Sequence, residues 1–271
     1  MSAIPDLWKR PKGRPLMVGI LNLTPDSFSD GGEHLSKKDA LEHAFMMVDS
    51  GADILDIGGE STRPGSDPVS EEEELKRVID VIKELAPSVG IPISIDTTKP
   101  SVAERSLIAG AAIINDVCGL RNEEMIRTAI EYDAPAIIVH MYGIPKTFAT
   151  VTMKGDANAE IKRFLSDRAE YAISKGMNKK NIVLDPGVGF GKTAEQDMSI
   201  IKNSGWFSDD YPVLIGPSRK KFLSHYYPEA DKDEATAAVS KIAATNGARL
   251  LRVHNVSEVL SFLKNNSPEE D

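Results

Sequence analysis

Residues 181–193 read NIVLDPGVGFGKT. The run from Ile182 to Asp185 has the length of a buried strand and is too short for a buried helix. Pro186 and Gly187 end it. Gly187, Gly189 and Gly191 then lead to Thr193, a residue type that caps helices. The segment therefore reads as strand, carboxylate, loop, helix. It does not read as a phosphate loop, because G-x-x-x-x-G-K-[ST] would need glycine where Pro186 stands. The glycine spacing also differs from the dinucleotide fingerprint.

The same pattern recurs in both directions. Further apolar runs lie at Leu16–Leu21, ending at Asn22, and at 54–58, 91–96, 111–116, 135–140, 212–218 and 249–254. Near-continuous apolar runs suit parallel strands buried on both faces. Amphipathic stretches separate them. In 71–86, Leu75, Val78, Ile79, Ile82 and Leu85 share one helical face, and Ser70 with Glu73 reads as a capping box. Leu41, Ala44, Phe45 and Val48 repeat the period, as do Ile161, Phe164, Leu165 and Ala172, stopped by Gly176. Pro100 opens a helix that Gly110 ends; Ala235 to Ala243 form another before Gly247, and Val256 to Leu263 the last. Eight strand–helix units in about 250 residues predict a (β/α)8 TIM barrel. An open doubly wound sheet is the alternative, but it usually has fewer strands. No linker divides residues 1–271, so one domain is expected, with a lead-in over 1–15 and a polar tail, NNSPEED, over 265–271.

Composition narrows the function. Basic residues number 32 and acidic 41, and 32 − 41 gives −9. An acidic balance argues against a general nucleic-acid binder, which favours a basic face. A single cysteine excludes a disulfide framework and cysteine-rich metal sites. No apolar run nears the roughly 18 residues of a membrane span. The first fifteen residues carry no secretory apolar core. A soluble, cytoplasmic protein is expected.

The informative residues follow the apolar runs. They are Asn22; Asp56, Glu60, Thr62 and Arg63; Asp96; Asn115 and Asp116; His140; Asp185; Ser218, Arg219 and Lys220; and Arg252 and His254. In a barrel the C-terminal strand ends converge on one mouth, where active sites sit. Any one of these residues could be a helix cap; seven or eight together are poorly explained as caps. Asp96 and Asp185 end buried strands, where an unpaired carboxylate is costly. Cys118 reads as a small buried residue and Glu71–Glu74 as a solvated first turn. The five histidines lack zinc-ligand spacing, and no GxSxG elbow occurs.

On these motifs the chain resembles the dihydropteroate synthase family of pterin-binding folate enzymes. GILNLTPDSFSDGG at 19–32 and DIGGESTRPGS at 56–66 look like the two long signatures of that family. ISIDTT at 93–98, NDVCG at 115–119, HMYGIPKT at 140–147, DPGVGFGKT at 185–193, SRK at 218–220 and RVH at 252–254 follow in family order. The resemblance implies condensation of a hydroxymethyl-dihydropterin pyrophosphate with p-aminobenzoate, giving dihydropteroate and pyrophosphate. Such chemistry needs positioning and charge neutralisation rather than a protein nucleophile.

It also implies roles for residues. Asp185, Asp96, Asn115 and Lys220 would bind the pterin. Asn22, Thr62, Arg63, Arg252 and His254 would meet the pyrophosphate, with Asn22 at a Mg²⁺. Thr62, Pro64, Phe190, Ser218 and Lys220 would hold p-aminobenzoate. Lys220, Asp96, Arg63 and, near the reacting centre, Asp56 would carry the chemistry. A homodimer is expected by the same resemblance. Asn255 departs from the family's usual Asp, a change that capping of the last helix would tolerate. Tyr142 and Ile144 stand where polar, basic or small residues are usual. The alternatives are a pterin-binding barrel of the corrinoid methyltransferase kind and a non-catalytic pterin-binding paralogue.

Overall fold

Each apolar run of the sequence becomes a parallel strand of one sheet. A computed structural model describes residues 8, 13–24, 37–61, 67–143 and 150–265. The strands are β1 (Leu16–Asn22), β2 (Ile54–Gly58), β3 (Ile93–Asp96), β4 (Ile113–Asp116), β5 (Ala136–Val139), β6 (Ile182–Asp185), β7 (Leu214–Ile215) and β8 (Leu250–Val253). Hydrogen bonding runs in the order β6-β5-β4-β3-β2-β1-β8-β7. A parallel bridge from Leu184 to Val213 joins the two ends, with Leu184 N–H donating to Pro212 O at 3.0 Å. The sheet is thereby closed into the expected barrel.

The helices are α1 (Lys37–Asp49), α2 (Glu71–Leu85), α3 (Pro100–Ala109), α4 (Glu123–Glu131), α5 (Ala157–Ser174), α6 (Ala194–Lys202), α7 (Leu223–Tyr226), α8 (Lys232–Thr245) and α9 (Val256–Asn265). None of the described helices is long and apolar enough to cross a membrane.

Strand alternation divides the core in two. Leu16, Val18, Ile54, Ile113, Ile137, Val183, Leu214 and Leu250 form one buried cluster inside the barrel. Their neighbours in sequence, among them Met17, Leu55, Ile114, Ile138, Leu184 and Leu251, belong to a second cluster shared with the helix faces. Successive side chains on a strand point to opposite sides, so the residue two positions after a floor residue faces inward again. From the lead-in, Trp8 packs against the inner cluster, donates from Nε1 to Lys180 O at 3.0 Å and accepts from Arg249 Nε at 2.7 Å.

Several local expectations change. Ser70 caps α2 by accepting from Glu73 N–H, but the Glu73 carboxylate pairs with Arg77 Nε at 3.0 Å instead of returning to the cap. A complete capping box forms at Thr193 and Gln196, where α6 begins. Glu74 is not solvated: it is fully buried and pairs with Lys99 Nζ at 2.5 Å. Lys99 also binds Glu60 at the stem of the segment after β2. Cys118 is half-buried rather than buried, with desolvation and Asp116 pushing its thiol up to about 12.

Candidate active site

The apolar floor ends one layer below the barrel mouth. Asp56, Asn115, Asp185 and Arg252 stand two residues after Ile54, Ile113, Val183 and Leu250, so they inherit the inward face. Asp96 and Asn22 reach the same level by register. Asn22 pairs with Gly58, Gly58 with Asp96 and Asp96 with Asn115 across four adjacent strands. Gly58 supplies no side chain to this row. A Cβ there would lie in ordinary contact, 3.7 Å from Asn22 Oδ1 and 3.5 Å from Asp96 Cβ, so position 58 sits between the two side chains.

Arg252 organises the layer. Its Nε donates to Asp56 Oδ2 and its Nη2 to Asp96 Oδ2, each at 2.5 Å. Asn115 Nδ2 donates to the same Asp56 oxygen at 3.1 Å. Asp56 Oδ1 and Asn115 Oδ1 are buried and have no hydrogen-bond partner among the described residues. Buried acceptors without partners are rare and call for donors. Burial opposes the charge on Arg252, but Asp56 and Asp96 outweigh it and hold the guanidinium protonated. Burial pushes Asp96 up to about 7, Arg252 opposing and Asp56 adding to the rise. Burial likewise lifts Asp185 to about 6 against the Gly187 N–H and Lys220.

The loop after β6 forms the next wall. Gly187 N–H donates to Asp185 Oδ1 at 2.7 Å. Only glycine fits position 187: φ is +68°, and a Cβ would lie 1.8 Å from His140 O. The Phe190 ring lies under Lys220, with Nζ 4.0 Å from its centroid. Desolvation and the neighbouring Arg252 lower the Lys220 ammonium to about 8. Lys221 is exposed whereas Lys220 is half-buried. Ser218 Oγ lies 2.8 Å from His254 Nδ1 and accepts from His254 N–H at 3.1 Å, tying the loop after β7 to the end of β8.

These walls enclose a cavity of about 990 Å³ whose lining includes Asn22, Ser61, Phe190, Ser218, Lys220, Arg252 and His254. Among the described residues no group of three or more His, Cys, Asp or Glu is placed to hold a metal. The amide oxygen of Asn22, which lines the cavity, is one neutral hard donor. That fits a Mg²⁺ that keeps waters and takes further oxygens from phosphate, rather than one caged by protein.

The pterin binding enzyme family matches residues 18–254. The dihydropteroate synthase of Synechocystis is 42% identical over 256 residues, 93% of this chain and 89% of that protein. The chain belongs to the dihydropteroate synthase family. The Xanthomonas albilineans enzyme solved with 4-aminobenzoic acid has a TM-score of 0.86 at 38% identity, covering 94% of each chain. The Yersinia pestis enzyme, solved as a sulfonamide drug complex, gives 0.87 at 38% identity over 93% of each chain.

In this dihydropteroate synthase most of the candidate residues named from the sequence can be placed. Asn22, Asp56, Asp96, Asn115, Asp185, Phe190, Ser218, Lys220, Arg252 and His254 gather at one mouth. Thr62, Arg63, Pro64 and Ile144 lie outside the described residues. His140 is buried against Phe164, ring centroids 5.0 Å apart, and desolvation holds it well below the ordinary imidazole value. Asp116 turns away from the mouth and accepts from the N–H groups of Cys118 and Leu120, both at 2.8 Å. Tyr142 packs partly buried against the outer core, and its N–H donates to Phe190 O at 3.3 Å. Asn255 caps α9 by accepting from Glu258 N–H at 3.1 Å, as expected, and also donates to Asp233 at 3.2 Å. Lys192, Asp197 and Asp233 were not singled out from sequence for the cavity they line. Asp197 resembled an ordinary acidic first turn, and Asp233 lies in another.

Proposed function

We propose that this dihydropteroate synthase works by positioning and charge stabilisation at the polar layer above the barrel floor. The carrying observation is the pair of buried acceptors, Asp56 Oδ1 and Asn115 Oδ1, which lack partners among the described residues beside Asp96, Asp185 and Lys220. A pterin presents an edge of N–H donors, which a carboxylate accepts in pairs. Asp185 takes that edge, Asp96 and Asn115 complete the donor–acceptor pattern, and Lys220 donates to the ring carbonyl side.

The pyrophosphate lies toward Asn22, Arg252 and His254, with Thr62 and Arg63 on the segment after β2. Arg252 suits bidentate phosphate contact. Asn22 would hold a Mg²⁺, which would supply charge neutralisation for the leaving group. The C–O bond to pyrophosphate breaks, its electron pair leaves with the phosphate, and the electron-rich ring stabilises the cation. The nitrogen of p-aminobenzoate then forms the new C–N bond and releases a proton to solvent. Phe190, Ser218, Lys220, Thr62 and Pro64 hold this acceptor. Asp56 keeps Arg252 and Asn115 in place next to the reacting centre.

The homodimer and the cytoplasmic setting belong to the same proposal, supported by the family resemblance; sedimentation of the purified chain tests the first. Turnover is tested by mixing the protein with the dihydropterin pyrophosphate and p-aminobenzoate, with and without Mg²⁺. Release of dihydropteroate and pyrophosphate is expected. Pterin binding without any pyrophosphate release would refute the reading and favour a non-catalytic pterin-binding protein.

A further inference from the structure

The glycine loop after β6 serves three groups of the site at once. Gly187 N–H binds Asp185. Gly189 lies against the stem of Lys220, so close that a Cβ would come within 2.9 Å of Lys220 Cδ. Phe190 supplies the ring beneath the Lys220 ammonium. Val188 and Phe190 anchor this loop in the core, but its three glycines have no side chain to hold the backbone between them, and glycine gains the most entropy from disorder. The backbone groups of the glycines need partners from outside the loop.

Two charged side chains with no part in the reaction above provide them. Lys192 Nζ donates to Gly187 O at 2.7 Å and to Phe190 O at 3.1 Å, and reaches His140 O, just past β5, at 3.4 Å. An ammonium has three donors, and here all three go to backbone carbonyls. Lys192 is therefore occupied as a clamp and is not a phosphate ligand, despite its place in a GFGKT segment. Asp197 is 2% exposed and accepts from Gly189 N–H at 2.8 Å. It stands in the first turn of α6, which the Thr193–Gln196 capping box fixes. One clamp grips the loop by its carbonyls and the other by an N–H.

We propose that Lys192 and Asp197 are positioning residues for the acceptor subsite, holding the loop so that Gly189 and Phe190 offer a preformed floor to Lys220 and the aryl amine. The inference rests on the assignment of Phe190 and Lys220 to p-aminobenzoate made above. Preorganisation of this kind lowers the ordering cost of binding.

The experiment compares Asp197→Ala, Asp197→Asn and Lys192→Met with the parent, by steady-state KM for each substrate, kcat, and pterin affinity by calorimetry. Asp197→Ala loses one hydrogen bond to the loop. It is expected to raise KM for p-aminobenzoate about tenfold, with pterin affinity and kcat within about threefold. Asp197→Asn keeps an oxygen for Gly189 N–H and is expected to restore KM to within about twofold. Lys192→Met, which also frees the Gly187 carbonyl, is expected to weaken both substrates. An unchanged acceptor KM in Asp197→Ala, an Asp197→Asn as impaired as the alanine variant, or a loss confined to kcat would each overturn the proposal. If Asp197→Ala does not fold, Lys192→Met decides, since an unchanged acceptor KM there overturns it equally. A parent without turnover refutes the functional reading itself. An active parent with an unaffected Asp197→Ala refutes only this inference.

Discussion

Replacing Arg252 with methionine would test the electrostatic design of the barrel mouth. The substitution keeps a long apolar stem and removes the guanidinium that bridges Asp56 and Asp96 at 2.5 Å each. Asp56 is fully buried and Asp96 is 7% exposed, so neither can exchange the lost partner for bulk water. Removing one partner of a buried ion pair costs about 3–5 kcal/mol, because the remaining charge is left uncompensated. For a chain of 271 residues that corresponds to a drop in Tm of about 5–9 °C.

The pH dependence supplies a sharper signature. Folded Asp96 titrates at about 7 against an ordinary 3.8, so the folded state holds this proton more tightly than the unfolded state. From this group alone, stability falls as pH rises from about 4 to about 7 and is level above that. Arg252 lowers the Asp96 value, so its removal raises that value further. At pH 8 the variant must either bury an unpaired carboxylate or take up a proton against the solution. At pH 5.5 the carboxyl is largely protonated in parent and variant alike. The deficit should therefore be largest at pH 8 and shrink at pH 5.5, and adding Asp96→Asn to Arg252→Met should recover part of it. Calorimetric or circular-dichroism melts at the two pH values read this directly. A Tm within about 2 °C of the parent at pH 8, or a deficit independent of pH, would show that the carboxylates do not depend on Arg252 as described.

Three further outcomes follow from the geometry. Gly187→Ala forces a Cβ to within 1.8 Å of His140 O at φ +68°, so it should destabilise by several kcal/mol, at least about 3, and abolish pterin binding; a soluble variant with parental pterin affinity would contradict the loop geometry. Lys220→Ala should lower kcat/KM by about 100-fold while Lys221→Ala stays within about twofold, because only Lys220 lies over Phe190; equal effects in a steady-state assay would show that the wrong lysine was chosen. Chelation of divalent cations should stop turnover yet leave Tm within about 1 °C, since among the described residues no protein cage holds a metal; a large chelator-induced fall in Tm would refute a Mg²⁺ carried mainly by phosphate.

The barrel and most of its mouth could be read from sequence because both follow from short-range rules. A four-residue apolar run such as IVLD has one buried solution between two helices, and its last residue must emerge at the strand end. Period-two alternation then separates Val183 and Asp185, inward, from Ile182 and Leu184, outward. Partners across long sequence separations were not legible. Arg252 reads as a phosphate ligand in RVH, and nothing local indicates that residues 56 and 96 occupy two of its nitrogens. Glu74 looks like one of four dipole-favoured acids, yet it is the one whose face turns inward to meet Lys99. Lys192 sits in a sequence suggestive of phosphate, and only the approach of His140 O shows where its donors go. In each case the local pattern gave the element, and a contact between distant segments gave the side chain its role.

Net charge fails as a guide for the same reason. The chain carries −9, yet its substrate brings a pyrophosphate. Three carboxylates, Asp56, Asp96 and Asp185, form the inner layer; two of them share the single positive charge of Arg252 and the third lies near Lys220. Asp197, a fourth, is opposed by Lys192 and Lys220. Four carboxylates thus face three cations, and the burial that raises Asp96 to about 7 brings the mouth nearer to balance than the acidic surface. Surface charges a Debye length away, about 8–10 Å at ordinary salt, are screened, whereas the buried pairs are not. An anion at the mouth responds mainly to the imidazole of His254, the Arg252 edge and any cation on Asn22, rather than to the total. The buried carboxylates do not repel it as free charges would, because each lies against a cation, and on the proposed binding mode Asp185 also meets the hydrogen-bonding edge of the ring. Ring recognition and phosphate tolerance thus share one arrangement, in which Arg252 lets acidic acceptors stand beside an anionic leaving group.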